Sequence, residues 1–69
     1  MLMSRKKKLK IAKMLAKIIH GIETDSDIPV YAFMYINRIV VSIAEEVGGT
    51  SMLNCVVDSL DEIRKGGAE

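Results

Sequence analysis

The stretch from Pro29 to Val47 constrains this chain more than any other, because its apolar residues leave only a narrow polar edge. On a helical wheel of about 100° per residue, Ile36, Val40, Ile43 and Val47 define a centre with Phe33 beside them. Val30, Met34 and Val41 lie well off that line. The apolar sector covers about 220°, roughly twice what a surface helix needs. A helix this broad must touch neighbours on two sides. Its own chain can supply one side, and a second molecule must supply the other.

Length sharpens the point. A chain of 69 residues forms one domain, here expected over 1–69, and a domain of this size buries only about 60% of the surface its unfolded chain exposes. Apolar residues make up 49% of the sequence, more than so small an interior can hide. Self-association is therefore expected, with Val30, Met34, Asn37 and Val41 as the contact residues. Asn37 falls inside the apolar sector, where an amide can fix the register of two copies.

Two further segments carry helical periodicity. The first runs from about 5 to 22, with Ile11, Leu15, Ile18 and Ile22 inside an arc of about 60°. The third runs from about 51 to 65. Met52, Leu53, Val56, Val57, Leu60 and Ile63 share one of its faces, and Asn54, Asp58, Asp61, Glu62 and Lys65 share the other. Breaks stand at "GIETDSDIP", where Pro29 suits a helix start, and at "VGGTS", where a glycine can take the left-handed form and Thr50 can cap. The expected fold is all-α: a compact three-helix domain (about 5–22, 29–47 and 51–65) assembled as a homodimer. Residues 1–4 and 66–69 are expected to be disordered.

Charge is partitioned along the chain. Seven basic residues and no acid precede Gly21, whereas three basic and nine acidic residues follow it. Lys6, Lys10, Lys13 and Lys17 form a stripe along about 16 Å of the first helix, opposite its apolar side. The stripe can meet an acidic protein surface or a nucleic-acid backbone. No aromatic lies within residues 1–30 to stack on bases. Membrane binding is disfavoured, because the apolar side lacks Trp and Phe and is needed for the core.

The remaining motifs lead nowhere catalytic. "AEEVGGTS" resembles the start of a helix-turn-helix, with Ala44 and Gly48 four apart. Asn54 stands where that motif wants an aliphatic residue, and Asp58, Asp61 and Glu62 would face phosphates. "DSLD" is similar to the attachment motif of acyl carrier proteins, but Ser59 sits in mid-helix. "ETDSD" lacks the glycine and the glutamate of a calcium loop. His20 is the only histidine and is expected to meet free carbonyls at a helix end. The single Cys55 excludes an internal disulfide, favours a reducing cytoplasm and reads as a packing residue. No nucleophile set, metal spacing or phosphate loop is present, so neither enzyme activity nor a cofactor is expected. The expected function is a small helical interaction or regulatory protein that offers its basic face to an anionic or acidic partner. A small DNA- or RNA-binding protein using the lysine stripe is the alternative.

Overall fold

A computed structural model describes residues 4–66. Helix α1 spans Arg5–Glu23 and helix α2 spans Val30–Arg64. No strand occurs among the described residues. The all-α expectation holds, but there are two helices rather than three.

Ser4 starts α1. Its hydroxyl accepts from the Lys7 N–H at 3.2 Å and so satisfies one of the free donors of the first turn. At the other end of the described residues, the Gly66 N–H donates to the Ile63 carbonyl at 2.9 Å. Of the residues expected to be disordered, 1–3 and 67–69 lie outside the described residues. At the far end of α1, Thr24 donates from both its N–H and its hydroxyl to the His20 carbonyl, at 3.1 and 2.8 Å. Gly21, expected in the break, remains helical. The link between the helices is held by Asp25, whose carboxylate accepts from the Asp27 N–H at 2.9 Å. Pro29 is the cap residue of α2, and its carbonyl accepts from Ala32 and Phe33.

The break expected at "VGGTS" survives as one residue. Gly49 has φ 66° and ψ −160°, a backbone conformation open to glycine and closed to nearly every other residue. A straight helix of the 35 residues in α2 would run about 52 Å, yet the longest dimension of the Cα trace is 38 Å. The chain thus folds at Gly49 into two arms, 30–48 and 50–64. Helical hydrogen bonding resumes at once on either side, which is why no loop separates a second helix from a third. Gly48 lets the turn close, because a Cβ there would lie 2.6 Å from the Met52 Cβ.

One core joins α1 to both arms. It consists of Ala12, Ala16 and Ile19, then Val40 and Ala44, then Met52, Val56 and Leu60. Ala12, Ala16 and Ala44 are fully buried, as is Met52. Small side chains let helix backbones approach closely, so the seam follows the alanines rather than the largest apolar residues. This corrects the expected helix faces. On α1 the seam passes beside the predicted line, leaving Ile11 and Leu15 partly buried and Ile18 exposed. On the first arm of α2 it runs through Val40 and Ala44, leaving Ile43 and Val47 exposed. On the second arm Met52, Val56 and Leu60 are buried as expected, but Val57 is 57% exposed.

Glu23 clamps the open end of the fold. Its carboxylate accepts two hydrogen bonds from the Arg64 guanidinium, at 2.6 and 2.8 Å, and lies 3.2 Å from His20 Nδ1. His20 thus meets a carboxylate, whereas a helix-end carbonyl was expected. The Arg64 hydrogen bonds hold the Glu23 carboxyl below its ordinary value of 4.5; partial burial opposes this and His20 adds to it. Because the folded value is depressed, the stabilisation is complete above the ordinary value and disappears as pH falls through the folded one. Arg64 is half exposed, so solvent screening limits the pair to about 1 kcal/mol. Glu23→Gln is therefore expected to melt about 4–8 °C lower at neutral pH. The gap should close when both proteins are melted in acid. A gap that persists there would assign the loss to packing.

Candidate interaction surfaces

Much of the exposed apolar surface lies on the first arm of α2. Val30 is 74% exposed and Met34 60%, and Tyr31, Tyr35, Ile39, Val41, Ile43 and Val47 are also exposed.

The two arms border a groove of about 330 Å³. Phe33, Asn37 and Val41 line it from the first arm, Leu53 and Val57 from the second, with Ile19 of α1 contributing. Of the four residues expected at a dimer contact, Asn37 and Val41 stand in the groove wall, with Asn37 half-buried. Val30 and Met34 continue their row by spacings of four and three along the same helix side. Val57 on the opposite bank escaped sequence reasoning, because the wheel places it at the edge of a face that reads as wholly buried. Ile39, Ile43 and Val47 make a second exposed row at intervals of four.

Lys6, Lys10, Lys13 and Lys17 are all exposed on α1, turned away from the core. Met14, four residues after Lys10 and three before Lys17, is exposed beside them. Lys8 behaves differently: it is half-buried, and its ammonium donates to the Ser51 hydroxyl at 3.1 Å. That contact ties the start of α1 to the start of the second arm. Arg5, Lys8, Leu9, Ser51 and Cys55 surround a hollow of about 370 Å³ there. Cys55 packs against the core.

By length and composition α2 is apolar enough to cross a membrane. It is not straight, however, and its first arm carries Arg38, Glu45 and Glu46. Among the described residues no group of three His, Cys, Asp or Glu is placed to hold a metal ion. No protein-family model, curated protein or solved structure matches the chain.

Proposed function

We propose that this is a non-enzymatic interaction protein that pairs with a second copy through the first arm of α2 and holds the basic face of α1 towards an anionic or acidic partner. The apolar row on the first arm of α2 carries the reading: Val30, Met34 and Val41 are 74%, 60% and 37% exposed. Met34, Asn37, Val41 and Val57 provide an apolar strip with a groove at its centre.

Charge favours a second copy as the occupant. Arg38 and Glu45 flank the strip three residues before and four after Val41. When two arms cross antiparallel near Val41, the Arg38 of each stands beside the Glu45 of the other. The two-fold arrangement thus forms two opposite-charge pairs at its rim, which sets register more than affinity.

Sedimentation of the wild type and of Val41→Glu tests the pairing. At about 1 M salt, where charges act over only about 3 Å, a wild-type dimer and a folded Val41→Glu monomer are expected, since a carboxylate buried at the centre of an apolar contact is strongly disfavoured. Reversing Arg38 to Glu should weaken the dimer, and adding Glu45→Arg should restore it. A wild type that sediments as a folded monomer at high protein concentration defeats the proposal.

A further inference from the structure

We infer that the acidic partner of the lysine stripe is the second arm of α2 in another copy of the same chain, joined head to tail. The inference rests on the proposed reading of the basic face and names its partner.

Two faces carry the argument. Lys10, Lys13 and Lys17 lie on the solvent side of α1, and Asp58, Asp61 and Glu62 lie on the solvent side of the second arm. Among the described residues the ion pairs within 4 Å all involve Glu23 as the acid, so neither face holds a close ion pair of its own, and the acidic face feels only the more distant charge of Arg64 beside Asp61. Each face also repels itself. Lys13 and Lys17 are like charges four apart, and so are Asp58 and Glu62, a spacing that destabilises a helix. The backbone adds to this. Asp61 and Glu62 stand in the last turn of α2, where acids oppose the helix dipole. Contact between the two faces relieves all of these repulsions together. It cannot occur within one chain, because both faces point away from the shared core.

Apolar side chains complete the match. Met14 stands exposed among the lysines, and Val57 stands exposed beside Asp58 and Asp61. Lys65, four residues after Asp61 and three after Glu62, puts a positive charge at the end of the acidic face and marks the limit of the complementary patch. The contact joins two different surfaces, so it repeats from copy to copy unless a ring closes. Val57 also lines the groove between the arms, so the head-to-tail and two-fold contacts meet at that residue.

A charge-exchange experiment in the Val41→Glu background isolates this contact from the two-fold one. Sedimentation is run at about 10 mM salt, where charges act over about 30 Å, and at about 1 M, where they act over about 3 Å. The background protein is expected to associate at low salt and to associate at least about tenfold more weakly at high salt. Two variants follow on that background, one with Lys10, Lys13 and Lys17 changed to Glu, the other with Asp58, Asp61 and Glu62 changed to Lys. Each alone should remain monomeric, and an equimolar mixture should associate again. Circular dichroism confirms that each is folded. A background protein that stays monomeric at low salt, or folded variants that stay apart when mixed, overturns the inference. A mixed-sequence DNA duplex and vesicles containing phosphatidylserine then separate the two levels. If either binds the unreversed stripe and not the Glu variant, the basic-face reading stands and only the self-partner is wrong. If the self-contact has failed and neither binds, both fall.

Discussion

Replacing Gly49 by alanine is expected to remove about 1–3 kcal/mol of stability and lower the melting temperature by roughly 5–20 °C. Space is not the reason, since a Cβ at Gly49 would meet no atom within 4 Å. The loss comes from φ and ψ. At 66° and −160° a side chain collides with its own backbone, and the arms cannot fold together without that conformation. Gly21→Ala is the matched control. Gly21 lies within α1 with nothing near its absent Cβ, so alanine there should add up to about 1 kcal/mol through helix propensity. Thermal unfolding followed by circular dichroism measures both. The same chemical change should move the two melting temperatures in opposite directions. If Gly49→Ala melts where the wild type does, the turn does not depend on that residue.

The second large effect concerns the seam. Ala44→Leu is expected to destabilise the fold by about 1–3 kcal/mol, because three extra carbons must enter a site with no exposed surface. Ile43 is the informative neighbour. It is larger and more apolar, yet 47% exposed, so Ile43→Ala should change stability by about 1 kcal/mol or less. Chemical denaturation of the two variants gives the ranking. A greater loss from Ile43→Ala than from Ala44→Leu would place the seam on the wrong side of the helix.

That contrast shows where the sequence was legible. Helical periodicity located α1 to within a residue or so, and the glycines at 48 and 49 marked the fold in α2 correctly. Their form was not readable, because one glycine or a whole loop can follow the same letters. The wheels identified apolar sectors but misplaced their centres. Isoleucine and valine dominate a hydropathy-weighted arc, whereas the helices meet along Ala12, Ala16 and Ala44. Alanine contributes little to such an arc and a great deal to how closely two backbones can pack. The breadth of the arc on the first arm was meaningful all the same, since that arm carries many of the exposed apolar side chains. The Arg64–Glu23 clamp joins residues 41 apart and leaves no local pattern in the text. The lysine stripe was visible throughout, because like charges spaced by three and four need only a helix to align them.

Asn37 stands half-buried in the wall of a groove that is otherwise largely aliphatic and aromatic. An occupant must therefore answer a donor and an acceptor at one defined depth as well as fill the space. A purely greasy ligand would strand that amide, so the groove discriminates by chemistry as well as by shape.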